Sequence, residues 1–353
     1  MSRYLSSKYD KLKPYVPGEQ PKIGEYIKLN TNEPPFDIPL SVLDAVKKEA
    51  GNMMLYSDPS SFDIRNAIAG YYGTNAENVI VTNGSDEVLY LAFLAYCDKN
   101  TPAVFPDITY GFYKVFAEFT GIPYTEKPLD DKFNIIVQEY FGAHATVFIA
   151  NPNAPTGIAL GLDKLEKIIS ENRDSIVVID EAYVDFGAES AVKLVDRYDN
   201  LLVVQTFSKS KMMAGARLGL GIASAEIIED LNRIRNSINP YNVNRMTSAA
   251  GVAMLKEKQY LEDCRNIIIN NRKYLTSSLR FLGFEVTDSM ANFVFAKHEK
   301  ISGYDLYMEL KNRGILIRNF GIPRIKDYNR ITVGTEKQID ILIDNIREIL
   351  ENK

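Results

Sequence analysis

Short unbroken apolar runs alternate with longer mixed segments along most of this chain. From Val79 the runs are Val79-Ile80-Val81-Thr82, Ala103-Val104-Phe105, Thr146-Val147-Phe148-Ile149-Ala150, Ile176 to Ile179 and Leu201 to Gln205. Runs without polar alternation predict strands covered on both faces. Their alternation with amphipathic segments predicts βαβ units and a largely parallel sheet, an α/β architecture. From about Thr247 to about Phe281 a long helical pattern carries Leu255, Tyr260 and Ile267 among charges, and predicts a bridge into a second lobe. Beyond it, Phe284-Glu285-Val286, Phe293-Val294-Phe295 and Arg330-Ile331-Thr332-Val333 predict strands, with helices over 303–313 and 337–351. The first 28 residues are polar and broken by Pro14, Pro17 and Pro21, which predicts an arm. The expected division is an arm at 1–28, a large domain at 29–246, and an interdomain helix with a small α+β domain at 247–353.

Composition narrows the classes. With 353 residues, 46% hydrophobic and 25% charged, the chain can bury a large core in two lobes. A net charge of -5 gives no electrostatic footprint for nucleic acid. No run reaches the ~18 apolar residues of a membrane span, and Met1-Ser2-Arg3-Tyr4 opens without an apolar signal core, so a cytoplasmic location is expected. Cys97 and Cys264 stand far apart and predict reduced thiols. His144 and His298 have no metal-ligand spacing, which argues against a metal site and against a serine triad.

The chemistry gathers at strand ends. Lys209 follows the run ending in Thr206-Phe207-Ser208, and Arg217 follows eight positions later in a small-residue turn. The run from Ile176 to Ile179 ends in Asp180. If the two runs are neighbouring parallel strands, an amine and a carboxylate meet at the C-terminal edge, where open α/β sheets bind ligands. An amine that attacks a carbonyl must shed its positive charge, through desolvation or a neighbouring cation such as Arg217. A lysine Schiff base with a carboxylate for a ring nitrogen is the arrangement that pyridoxal phosphate uses. Asp180 would hold that ring nitrogen through a charge-assisted hydrogen bond worth roughly 1.5–3 kcal/mol.

Three further segments bear on the same crevice. In Val81-Thr82-Asn83-Gly84-Ser85-Asp86-Glu87 a strand passes through glycine into a helix, whose first N–H groups can hold phosphate. Ser85 or Asp86 could equally be a plain helix cap, and Lys209 with Arg217 tips the balance toward a phosphate cup. The loop Asn151-Pro152-Asn153-Ala154-Pro155-Thr156-Gly157 follows an apolar strand and could hold side-chain amides against a ligand or serve only as a turn. Tyr110 could lie flat on a heteroaromatic ring, although one tyrosine among 21 says little by itself.

The ordered motifs NPNAPTG, DEAYVDF, TFSKSKMMAGARLG and RITVGT resemble the fold-type I, class II pyridoxal-phosphate aminotransferases over nearly the whole chain, from Pro14-Tyr15 to Arg330. The resemblance implies a large domain with a mainly parallel sheet between helices, a smaller α+β domain, and a homodimer with shared active sites. It implies that Lys209 forms the Schiff base and shuttles the proton, that Asp180 pairs with the ring nitrogen, that Tyr183 contacts the ring oxygen, and that Tyr110 stacks on the ring. Ser85, Asp86, Thr206, Ser208 and Arg217 would hold the phosphate, joined by Tyr56 from the second subunit. For the substrate it implies Arg330 on a carboxylate, Arg318 and an arm tyrosine, Tyr15 of the second copy, on a phosphate, and Asn32 and Asn292 as lesser contacts. The activity implied is ping-pong exchange of an amino group between L-histidinol phosphate and 2-oxoglutarate. An aromatic amino-acid aminotransferase, a threonine-phosphate decarboxylase and a non-catalytic binding module of this fold stay open.

One position departs from the pattern. Where the family carries a second asparagine, NPNNPTG, this chain has Ala154, and Asn153 is the candidate to replace the lost ring contact. Loss of such a bond costs about 0.5–1.5 kcal/mol. Lys211, a second amine two residues beyond Lys209, is expected to be a surface charge or a supporting one.

Overall fold

The structure, a computed structural model, describes residues 2–10, 12–22 and 26–352, so parts of the expected arm lie outside the described residues. The first strand, β1 (Ile27–Lys28), is followed by α1 (Leu40–Ala50) and α2 (Phe62–Tyr72). A seven-stranded sheet then forms from β2 (Val79–Thr82), β3 (Ala103–Pro106), β4 (Tyr124–Lys127), β5 (Thr146–Ala150), β6 (Val177–Asp180), β7 (Leu201–Thr206) and β8 (Gly219–Ile222), in the spatial order β2-β8-β7-β6-β5-β3-β4. Only β8 runs antiparallel to its neighbours. Among the helices around the sheet are α3 (Ser85–Tyr96), α4 (Phe112–Thr120), α5 (Leu162–Ser170), α6 (Ala225–Ile238) and α7 (Arg245–Met254).

The apolar runs behave as strands covered twice. Val79, Val81, Val147, Ile149, Val177, Ile179 and Val203 pack into one core. Their alternates Ile80, Phe148, Val178, Leu202 and Val204 pack into another on the opposite face. Each such side chain contributes about 1.5–3 kcal/mol on burial, which fixes the register and with it the position of every strand end. Two strands lie outside the runs read from the sequence. β8 carries Gly219 and Gly221, which give no apolar signal. A side chain at Gly219 would stand 2.2 Å from the backbone of Gly84, so strand and helix start approach this closely only without one. β4 is an edge strand with two exposed residues, so its pattern is polar.

The long helical pattern from 247 to 281 is two helices, α7 and α8 (Lys258–Phe281). The break between them lets two apolar stripes serve two cores. Met254 and Leu255 end α7 inside the large-domain core, where Leu261 and Cys264 of α8 also pack. Ile268, Leu275 and Leu279, further along α8, enter the core of the second lobe. That lobe continues with β9 (Glu285–Val286), β10 (Phe293–Lys297), α9 (Gly303–Asn312), β11 (Ile315–Leu316), β12 (Arg318–Asn319), β13 (Asn329–Thr332) and α10 (Glu336–Glu351). Its antiparallel sheet has the order β12-β13-β10-β9. Residues 27–29 join this lobe: β1 pairs with β11, and Leu29 is buried in the second core. Among the described residues no helix is long and apolar enough to cross a membrane.

Candidate active site

A cavity of about 170 Å³ lies between the C-terminal ends of the large sheet and the small sheet, bordered by Tyr110, Asp180, Lys209, Arg217, Arg318 and Arg330. Strand parity explains the gathering. β6 and β7 are adjacent and parallel with Asp180 opposite Val204, so their exits lie side by side. Asp180 and Thr206 close the two strands, and the chain turns at Phe207–Met213 to carry Lys209 over the opening.

Asp180 is 4% exposed, and its carboxylate accepts from the Tyr113 hydroxyl at 2.9 Å and from the Ala182 N–H at 3.3 Å. Burial pushes its carboxyl up to about 6, partly opposed by the Tyr113 bond. Among the described residues no cation pairs with it, so a buried acid borders the cavity without a positive partner. Lys209 Nζ donates to the Thr31 carbonyl at 3.2 Å and lies 5.7 Å from the centre of the Tyr183 ring. The Tyr183 hydroxyl accepts from Asn32 Nδ2 at 2.9 Å.

At the opposite end stand the donors for an anion. Gly84, with φ +82°, turns the chain from β2 into α3, so the first N–H groups of the helix, at Ser85 and Asp86, face the cavity end. A side chain on Gly84 would come within 2.5 Å of Arg217 Nη2. Thr206 Oγ1 lies 3.0 Å from Ser208 Oγ and accepts the Ser208 N–H at 3.1 Å, holding both hydroxyls at the strand exit. Asp86 accepts from Tyr110 at 2.7 Å and from Arg217 at 3.2 Å.

The small domain closes the far side. Arg318 donates to the carbonyls of Pro17 at 3.2 Å and Val16 at 3.0 Å, and Arg330 donates to that of Asn30 at 3.1 Å. The Nε of Arg330 is buried without a partner, and burial works against its charge. Both guanidiniums lie over the Phe320 ring, at 5.7 and 5.6 Å from its centre. Tyr15 stacks on Phe112 at 4.3 Å and borders this same cavity, so the chain's own arm supplies the tyrosine expected from a second copy.

Other expectations are corrected by the geometry. Asn153 does not border the cavity: its amide donates to the Ile108 carbonyl at 2.9 Å and accepts from Thr109 at 2.8 Å, which pins the loop and leaves Ala154 at the opening. Asn292 stands one layer behind, its amide holding the Asn32 carbonyl at 3.0 Å. Tyr56, expected to act on a second copy and so not corrected, is 79% exposed and stacked on Tyr241 on the outer surface of its own chain. Lys211 is not a surface charge. It is 2% exposed and paired with Asp185 at 2.8 Å, because the tight turn after Lys209 points it inward. Tyr113 and Phe320 escaped the reading of the sequence. Tyr113 lies in the first turn of α4, three residues beyond Tyr110, and its closeness in sequence to that tyrosine was the available signal.

The family model described as aminotransferase class I and II matches residues 24–346, and the chain belongs to that family. Over 354 aligned positions it is 45% identical to the histidinol-phosphate aminotransferase of Brachyspira hyodysenteriae, covering 100% of both chains. It is 47% identical over 350 positions to histidinol-phosphate aminotransferase 1 of Bradyrhizobium diazoefficiens, covering 99% of this chain and 100% of that one. The fold matches the crystal structure of histidinol-phosphate aminotransferase from Sinorhizobium meliloti in complex with pyridoxal-5'-phosphate, with TM-score 0.89 and 23% identity over 99% of each chain. The residues present fit pyridoxal phosphate: a buried acid without a cationic partner, suited to a protonated ring nitrogen, borders the cavity together with hydroxyl and guanidinium donors suited to a phosphate.

Proposed function

We propose that this chain is a pyridoxal-phosphate-dependent transaminase that exchanges an amino group between L-histidinol phosphate and 2-oxoglutarate. The observation that carries the substrate class is the pair Arg318 and Arg330, two guanidiniums on one cavity without a carboxylate partner among the described residues. Arginine presents a planar fork suited to phosphate and carboxylate. Arg318 with Tyr15 serves the substrate phosphate, Arg330 the carboxylate of glutamate and 2-oxoglutarate, and Asn32 borders the same cavity with Asn292 holding it from behind. The relatives' names support the same substrate.

Pyridoxal phosphate supplies an electron sink for the carbon that bears the amine. Asp180 would hold the ring nitrogen, Tyr183 the ring oxygen and Tyr110 the ring face. Ser85, Asp86, Thr206, Ser208 and Arg217 hold the phosphate. Lys209 Nζ takes the proton from the amine-bearing carbon and later returns one, acting as base and then as acid. Its anchor on the Thr31 carbonyl ties it to the segment that also carries Asn32. With Asn153 engaged elsewhere and alanine at 154, Tyr183, oriented by Asn32, is left as the contact to the ring oxygen.

The reading includes a homodimer, with the expected boundaries at 28/29 and 246/247 shifted in each copy: residues 27–29 go with the small lobe, and α7 with the start of α8 goes with the large domain. Met53, Met54, Leu55, Tyr56 and Phe62 are each more than half exposed, beside a groove of about 720 Å³ along α1, α2 and α7. Clustered exposed apolar side chains mark interfaces. A second copy there would bring Tyr56 to the partner's phosphate end. The two free, buried cysteines support a cytoplasmic location.

The test is turnover of purified protein with L-histidinol phosphate, phenylalanine and threonine phosphate. Preference for histidinol phosphate with 2-oxoglutarate supports the reading. A large preference for phenylalanine, or release of carbon dioxide from threonine phosphate, rejects it.

A further inference from the structure

Lys211 sits two residues from Lys209 and points away from the cavity. Its ammonium lies 2.8 Å from Asp185 Oδ2 and 3.3 Å from Ser210 Oγ, with the faces of Tyr71 and Phe207 at 5.7 and 5.8 Å. Burial opposes the charge, but Asp185 together with Tyr72 and Tyr71 outweighs it and strengthens the hold on the proton. Burial likewise opposes ionisation of Asp185, while Lys211 and Ser210 keep its carboxyl below the usual range. Both partners are therefore charged.

Stability alone does not account for such a pair, since an apolar pair of similar volume often serves as well or better. Its distinguishing product is position. The turn at Phe207–Met213 carries Lys209, and the turn after Asp180 carries Tyr183. Past the ends of β6 and β7, hydrogen bonds among the described residues join these two turns only through the Asp185 carboxylate, which accepts from Ser210 and from Lys211. The other oxygen of that carboxylate faces Arg265 of α8 at 3.8 Å. Asp185 is thus a node between the lysine turn, the tyrosine turn and the helix that runs into the small domain. Behind it the polar layer continues: Tyr72 donates to Gln205, whose amide donates to Glu181 at 2.8 Å.

We propose that Lys211 is a positioning residue for transamination, fixing through Asp185 the turn that carries Lys209 relative to Tyr183 and α8. No atom of Lys211 touches the substrate. The proposal rests on the transaminase reading for its effect on catalysis. A shift of about 1 Å at a reacting amine costs on the order of 100-fold in rate.

The test compares holoenzymes carrying Lys211→Met, Asp185→Asn and both. Each single variant is expected to lower kcat by roughly 10- to 100-fold, with KM for the amino donor within about twofold, and to move the pH midpoint of the cofactor's visible absorption. The double variant leaves no lone buried charge, so its Tm is expected to lie closer to that of the unaltered protein than either single variant's. Its kcat and absorption midpoint should match the single variants', because one linkage has been cut twice. If a single variant does not fold, the double variant carries the comparison. Return of kcat and midpoint together with Tm in the double variant, or single effects that multiply, would overturn the proposal. The midpoint needs no amino substrate, so a wrong substrate assignment would leave it readable and would show instead as missing turnover in the unaltered enzyme.

Discussion

Arg318 and Arg330 stand directly opposite one another in the ladder of β12 and β13, and both border the same cavity. Like charges placed across a ladder repel. Here the repulsion is left in place: among the described residues the two guanidiniums donate to backbone carbonyls, and both lie over the ring of Phe320. An anion bound beside both guanidiniums would offset this repulsion.

The two arginines should separate by substrate. Arg318→Met is expected to raise KM for L-histidinol phosphate by roughly 10- to 100-fold, the equivalent of about 1.5–3 kcal/mol for a charge-assisted bond, with a smaller effect on 2-oxoglutarate. Arg330→Met is expected to do the reverse. Steady-state kinetics for each half-reaction measures this, and equal losses for both substrates in both variants would reject the division of labour.

The phosphate end depends on two missing side chains. Gly84→Ala adds a methyl 2.5 Å from Arg217 Nη2 at a residue with φ +82°, and Gly219→Ala adds one 2.2 Å from the Gly84 backbone. Both should push the start of α3 off its position and weaken cofactor binding about tenfold or more, since backbone strain of this kind costs on the order of 1–3 kcal/mol. Equilibrium dialysis with pyridoxal phosphate is the check. Unchanged affinity in Gly219→Ala would show that the close approach of strand and helix is not what shapes the phosphate end.

Asp180 links stability to pH. Burial pushes its carboxyl from the ordinary 3.8 up to about 6, so between these values the folded chain binds the proton more tightly than the unfolded chain. Its contribution to stability is therefore complete below about pH 4 and is lost as the pH rises through about 6. In protein stripped of pyridoxal phosphate, denaturant titrations should show the unaltered chain losing about 2–3 kcal/mol relative to Asp180→Asn between pH 4 and 7. With the cofactor bound, the protonated ring nitrogen favours the carboxylate and the loss should disappear. A difference that is the same with and without cofactor would contradict the role given to Asp180.

Exposed Met54 and Leu55 offer a test of the dimer. Met54→Glu with Leu55→Glu should shift sedimentation toward the monomer and depress activity with it, since Tyr56 would no longer reach a second copy. A fully active monomer would remove Tyr56 from the site.

The seven-stranded sheet was readable wherever a strand is an unbroken apolar run, because covering both faces leaves no room for polar residues. It was unreadable at β8, where closeness to Gly84 requires glycine, and at the polar edge strand β4; outside that sheet the two-residue strands β1, β11 and β12 are too short to show a period. Asp180 and Lys209 were legible as residues of one crevice because Asp180 ends a buried strand and Lys209 lies in the turn just after its neighbour. The direction of Lys211 and the engagement of Asn153 were not, since both are decided by tertiary partners, Asp185 in one case and Ile108 with Thr109 in the other. The motif order carried the family. It could not reveal that Tyr113 holds Asp180 or that Tyr15 reaches the cavity of its own chain.

The central claim is that Lys209 and Asp180 work on the amino group of a phosphorylated substrate held by Arg318. Titration of the holoenzyme with L-histidinol phosphate, followed by visible absorption, tests it most directly. Loss of the cofactor's visible band at low substrate concentration, its return on adding 2-oxoglutarate, and its absence from the start in Lys209→Ala are the expected results. A band that does not respond to histidinol phosphate, or a Lys209→Ala protein that keeps both band and turnover, would contradict the claim.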